Sequence, residues 1–145
     1  MTISIAGPDD AEALAEALVG LIPQLSRSNP PPSLDEVRGI LAHEAITQFL
    51  ARDDAGRIVG VSTLATFPIP TGWRAWVEDV IVDEAVNGKG IGRRLTEAMI
   101  DRARELGCKT VDLTSRPSRE AANHLYRKVG FVQRETNVYR YAIEG

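Results

Sequence analysis

Residues 87–93, Asn-Gly-Lys-Gly-Ile-Gly-Arg, carry the most chemistry per residue in this sequence. Glycines at 88, 90 and 92 remove side chains where the backbone must turn, so successive N–H groups at a following helix start can point at an anion. Lys89, Arg93 and Arg94 add positive charge where the helix dipole already favours phosphate. A diphosphate suits such a cradle. Two other phosphate loops are excluded by local residues. A nucleoside-triphosphate loop needs Ser or Thr after Gly-Lys, and Gly90 follows Gly88-Lys89; a dinucleotide fingerprint begun at Gly88 needs a glycine where Arg93 stands.

The loop resembles the coenzyme A loop of the GCN5-related N-acetyltransferase (GNAT) superfamily, Gln/Arg-x-x-Gly-x-Gly/Ala. Asn87-Gly88-Lys89-Gly90-Ile91-Gly92 matches that pattern except at its first position, which Asn87 occupies. A second superfamily motif is recognisable in Ala122-Asn123-His124-Leu125-Tyr126-Arg127-Lys128-Val129-Gly130-Phe131, and the pair covers about Trp73 to Arg134. The resemblance implies acetyl-CoA as co-substrate, with no metal, held by Ile81, Val82, Asn87, Gly88, Lys89, Gly90, Ile91, Gly92, Arg93, Asn123 and Tyr126. It also implies that the strand ending at Val82 carries a bulge and splays from the next strand near Leu113. The pantetheine arm then lies on exposed backbone, with an N–H at or next to Val82 polarising the thioester carbonyl.

Tyr126 stands where the superfamily has its usual general acid, and a phenol with a reference pKa of about 10 can hand a proton to a departing thiolate. Packing of the helix onto the sheet is the competing role for it, and a solvent-facing position is the competing role for Asn123. Glu78 is the candidate base, acting directly or through water; attraction of a cationic amine, or a simple salt bridge, is its alternative. Strand alternation places Glu78, four residues before Val82, on the face of Val82 and Asp79 on the other.

These residues need a scaffold that the hydrophobic periods outline. Thr2 to Ala6 reads as a strand, Ala11 to Leu25 as a helix weakened late by Gly20 and Pro23, and Ser26 to Pro32 as a stiff proline connector suited to substrate contacts. Ser33 with Glu36 forms a capping-box pattern before a second helix ending near Glu44. Ile46 to Arg52, Ile58 to Phe67 and Trp73 to Val82 read as an antiparallel meander. Ile91, Leu95, Met99, Ala103 and Leu106 mark a long amphipathic helix, Val111 and Leu113 a strand, and Ala121, Leu125 and Val129 a last helix. Phe131 to Arg134 and Val138 to Ile143 read as closing strands. The expected fold is α/β: one domain, 1–145, with a mixed, mostly antiparallel sheet of six to seven strands and about four helices.

Composition narrows the function. The 17 basic and 20 acidic side chains give a net charge of -3, which argues against nucleic acid or an anionic membrane as partner. With one cysteine, Cys108, an intrachain disulfide is excluded, and the N-terminus lacks a secretory pattern, so a cytoplasmic location is expected. His43-Glu44 lacks the second histidine of a zinc-protease helix, Thr47 standing there, and no Gly-x-Ser-x-Gly elbow occurs. The expected activity is acetyl transfer from acetyl-CoA to a primary amine of a small molecule. A protein-lysine or N-terminal acetyltransferase and a non-catalytic acyl-CoA sensor are the alternatives. Acceptor choice is assigned to the loops Ser26 to Pro32 and Pro68 to Gly72, and the oligomeric state, a homodimer included, is left open.

Overall fold

A computed structural model describes residues 1–144. In chain order it has β1 (Thr2–Ile5), α1 (Ala11–Leu25), α2 (Leu34–Ala42), β2 (Ile46–Arg52), β3 (Ile58–Ile69), β4 (Gly72–Val82), α3 (Ile91–Glu105), β5 (Thr110–Asp112) and α4 (Glu120–Val129). Two compact units are distinguished, Met1–Thr114 and the segment from Ser115 onward.

The first unit is a five-stranded sheet in the order β1-β2-β3-β4-β5. Neighbours from β1 to β4 pair antiparallel, whereas β5 runs parallel to β4 after the α3 crossover. Strand alternation delivers one apolar set to each face. Phe49, Ala51, Ala75 and Val77 pack with Ile91, Leu95, Met99 and Ala103 of α3. Leu50, Val61 and Ile81 pack with Leu14, Leu18 and Leu21 of α1 and Val37 of α2. The α2 start is fixed as its sequence requires, with Ser33 Oγ accepting from the Glu36 amide at 3.1 Å and Glu36 Oε1 accepting from the Ser33 amide at 3.0 Å.

Helix α3 lies close on β3 because Gly60 has no side chain. A Cβ there would sit 3.2 Å from Ile91 Cγ2 and 3.3 Å from Leu95 Cδ1, both in the buried cluster. Gly60→Val is therefore expected to destabilise the fold by about 2 kcal/mol through overpacking. Urea unfolding measures this, and an unchanged midpoint would show that α3 can give way.

Six to seven strands are not found: the sheet has five among the described residues. Phe131 to Arg134 and Val138 to Ile143 form no strand, and Val132, Val138, Tyr139, Tyr141 and Ile143 stand in solvent. Alternation and β-branched residues indicate a pleat, but a strand also needs a partner ladder, which no local pattern supplies. The second unit thus comprises α4 and irregular segments. Its Tyr126 packs edge-on against Phe131, ring centroids 5.7 Å apart.

Candidate active site

The β4 strand changes character along its length. Its ladder with β5 has three pairs, the last being Trp76 with Asp112, so residues 77–82 continue with β3 on one side only. Within this stretch the register with β3 slips: Thr63 faces Glu78 and Val61 faces Ile81, so Asp79 and Val80 together oppose Ser62. This is a β-bulge. Asp79 accommodates it with φ of 49°, the one non-glycine residue at positive φ among the described residues. Ser62, facing the bulge, is buried and its hydroxyl has no partner.

The bulge corrects the face assignment made from alternation. An inserted residue resets the parity of a strand, so Glu78 and Val82 lie on opposite faces. The core confirms it: Val77 packs with the α3 cluster, yet Ile81, four residues later, packs with α1. Glu78 shares the α1 and α2 face with Thr63 and Trp76. The Trp76 indole N–H donates to Glu78 Oε1 at 2.9 Å. Partial desolvation, and then the adjacent Glu78 carboxylate, raise the Asp79 carboxyl above its usual range.

The main chain at the end of β4 faces outward. The Asp83 amide donates to Val59 O at 2.8 Å, which makes Gly60 and Val82 a non-hydrogen-bonded pair; the Val82 N–H therefore points away from β3, toward the side that β5 has left. Ile81 is different. Its amide turns toward β3 and its side chain is buried under α1, so it holds the strand and offers no backbone group on the open side.

Beyond Val82 the chain makes one 3₁₀ turn, Glu84–Val86, capped by Asp83 Oδ1 accepting from the Ala85 amide at 3.0 Å. That bond, with contributions from Gln24 and Arg57, holds the Asp83 carboxyl below its usual range. Gln24 of α1 also accepts from the Glu84 amide at 2.9 Å, tying the loop to the helix. Asn87 Oδ1 accepts from the Gly88 amide at 3.0 Å. Gly90 is the N-cap of α3 at φ 76° and ψ 13°, without a side-chain cap, which leaves the first amides of α3 for a ligand or solvent. Space above Gly88 and Gly90 is open, with no atom within 4 Å of where a Cβ would stand.

The basic residues divide. Arg93 pairs with Glu97 at 3.2 Å and Arg94 donates to Met1 O at 3.1 Å, while Lys89 makes no ion pair among the described residues. A cleft of about 840 Å³ adjoins the same loop, lined by Pro23, Gln24, Arg27, Asn29, Pro30 and Glu84. The proline connector thus borders a concave surface. The Pro68 to Gly72 loop closes a tight hairpin, Ile69 paired with Gly72, at the other end of β4. It lies roughly 20 Å along the strand from Glu78 at about 3.3 Å per residue.

In the second unit, Asn123 and Tyr126 share a face of α4. Asn123 Nδ2 donates to the carbonyls of Arg116 and Arg119 at 2.8 and 2.9 Å, bracing the turn that leads into the helix and leaving Oδ1 to accept. Tyr126 is 9% exposed, and burial pushes its phenol further above the ordinary tyrosine value than Arg119 pulls it down. Tyr139 and Tyr141 stand in solvent, 87% and 89% exposed, and Trp73 is also exposed. No group of three or more His, Cys, Asp or Glu among the described residues is placed to hold a metal. The bulge that the family resemblance implies on the strand ending at Val82 falls at Asp79 and Val80, and the implied splay near Leu113 begins where the β5 ladder ends at Asp112. Sequence reasoning missed the hydrogen bond between Trp76 and Glu78, for which their i, i+2 spacing was the available signal.

One-sided strand, outward amide, open glycine turn and uncapped helix start thus follow one another along the chain from β4 into α3. The chain belongs to the Acetyltransferase (GNAT) family, whose model matches residues 15–131. It is 29% identical over 143 residues to glucosamine 6-phosphate N-acetyltransferase 1 of Oryza sativa subsp. japonica, covering 92% of this chain and 84% of that protein. It is 36% identical over 89 residues to the mycothiol acetyltransferase of Propionibacterium freudenreichii subsp. shermanii, covering 61% of this chain but 28% of that protein. This chain therefore spans under a third of that second relative. Among solved structures, an acetyltransferase of Trypanosoma brucei superposes with a TM-score of 0.77 at 26% identity, covering 97% of this chain and 99% of the other.

Proposed function

We propose that this chain, as one N-acetyltransferase domain, transfers the acetyl group of acetyl-CoA to a primary amine of a small molecule by direct attack in a ternary complex. The observation that carries the reading is the one-sided stretch of β4, whose Val82 amide points outward and whose chain runs on into the uncapped start of α3. Those are a carbonyl-polarising donor and a diphosphate cradle in sequence order.

In this reading Asn87, Gly88, Lys89, Gly90, Ile91, Gly92 and Arg93 hold the diphosphate, chiefly through main-chain amides, with Lys89 adding charge. The Val82 N–H polarises the thioester carbonyl, and its strength grows as charge develops on the oxygen. Glu78 receives the ammonium of the acceptor and takes its proton, directly or through water. The neutral amine attacks the carbonyl carbon, the tetrahedral intermediate collapses with cleavage of the C–S bond, the thiolate takes a proton from Tyr126, and the surplus proton on the nitrogen restores the phenol through solvent, leaving the neutral amide. Asn123 Oδ1 accepts a hydrogen bond from the cofactor. The motif match assigns Tyr126 and Asn123, and the raised phenol suits a group that must remain protonated at neutral pH.

A small acceptor is supported by the names of relatives and by a cleft whose volume lies within the range of small-molecule sites. No helix of the described residues is long and apolar enough to cross a membrane, and a cytoplasmic site of action is part of the proposal. The test is release of free coenzyme A thiol from acetyl-CoA in the presence of glucosamine 6-phosphate, amino acids, polyamines or a lysine peptide. Turnover with a small amine and not with the peptide is expected. Peptide-only turnover would make the protein an acetyltransferase of proteins, and tight acetyl-CoA binding without turnover would make it a sensor.

A further inference from the structure

The hydrogen bond between Trp76 and Glu78 has no evident structural task. Glu78 is solvent-exposed and would be hydrated without it, and the partly buried indole belongs to neither apolar cluster. Its placement suggests another purpose. Trp76 pairs with Ala65 of β3 on one side and with Asp112 of β5 on the other, so its main chain is held from both directions. Glu78, two residues on, has Thr63 of β3 as its pair and lies beyond the β5 ladder, immediately before the bulge. A carboxylate at a fork is thus hydrogen-bonded at 2.9 Å to an indole whose main chain is held from both sides just before it.

We propose that Trp76 is a positioning residue for Glu78: its indole N–H fixes Oε1, so that Oε2 is presented to the acceptor ammonium where β4 parts from β5. The inference rests on the role given to Glu78 above. A free glutamate side chain loses rotamer entropy when it is ordered, and a donor already bonded to it supplies part of that order before the amine arrives. The indole also gives the carboxylate a hydrogen bond without competing charge, so the ammonium meets an anion that is oriented and not already neutralised by a cation.

Trp76→Phe keeps the ring and removes the donor. It is expected to lower kcat/KM for the amine about tenfold, the size of one hydrogen bond to a charged group, while the acetyl-CoA dissociation constant is unchanged. In a Glu78→Ala background the same substitution should have no further effect, because the group it positions is gone. A second readout needs no turnover. The protein has two tryptophans, so its nitrogen-labelled spectrum has two indole signals, which Trp73→Phe assigns. Glu78→Ala should move the Trp76 indole proton upfield and leave that of Trp73 in place. Wild-type kcat/KM in Trp76→Phe, or an indole proton indifferent to Glu78→Ala, would overturn the proposal. Full activity in Glu78→Ala would instead remove the role of Glu78, and the indole signal would tell that failure from absence of the bond.

Discussion

Gly90→Val is expected to lower acetyl-CoA affinity by more than about 100-fold while the protein remains folded. Two costs act together. Gly90 caps α3 at φ 76°, a conformation that a β-branched residue adopts at a cost of order 1–3 kcal/mol, so the turn shifts or strains. The space above it is also empty, and the proposed diphosphate would occupy it; isopropyl atoms there block the ligand and the first amides of α3 together. Loss of two or three charge-assisted hydrogen bonds of about 1.5–3 kcal/mol each accounts for the factor. Isothermal titration calorimetry measures the affinity, and circular dichroism checks the fold. Affinity within tenfold of wild type would place the diphosphate elsewhere.

Tyr126→Phe is expected to lower kcat by about 100-fold or more and to change acetyl-CoA affinity by less than about threefold, as loss of a proton donor acting only in the transition state requires. The substitution isolates the hydroxyl because the ring's edge-on contact with Phe131 survives in phenylalanine. Burial raises the phenol, so in wild type the alkaline loss of kcat from its ionisation should have its midpoint above that of an ordinary tyrosine; the protonated, active form is lost only as pH rises through the elevated value. Steady-state rates across pH, with calorimetric affinities, decide the matter. A variant retaining kcat within threefold would leave the thiolate to be protonated by solvent.

Gly90 and Tyr126 both lie in segments that the sequence alone marks. The glycine turn is local: Gly88 and Gly90 stand at positive φ, backbone that glycine occupies easily, and the fragment needs no distant partner to be recognised. The same locality explains why α1, the α2 cap and β2 match their expected bounds, since helical period, capping box and strand alternation are properties of neighbouring residues. Tyr126 and Asn123 stand out through a motif, but the Asn123 amide proves to brace its own helix entry, a contact that depends on the turn before it.

What the sequence determined by itself, then, is the order and kind of elements as far as α4, the glycine turn before α3, and the family pattern. Tertiary structure fixed the residue at which β5 stops following β4, placing after Trp76 the fork that the resemblance implied only near Leu113. It likewise placed the implied bulge at Asp79, which puts Glu78 and Val82 on opposite faces of the strand. It also left 131–144 without strands despite their alternation. Each of these depends on pairing between segments distant in sequence, where one inserted residue reverses every later face and a missing partner removes a strand. No window of neighbouring residues contains that information.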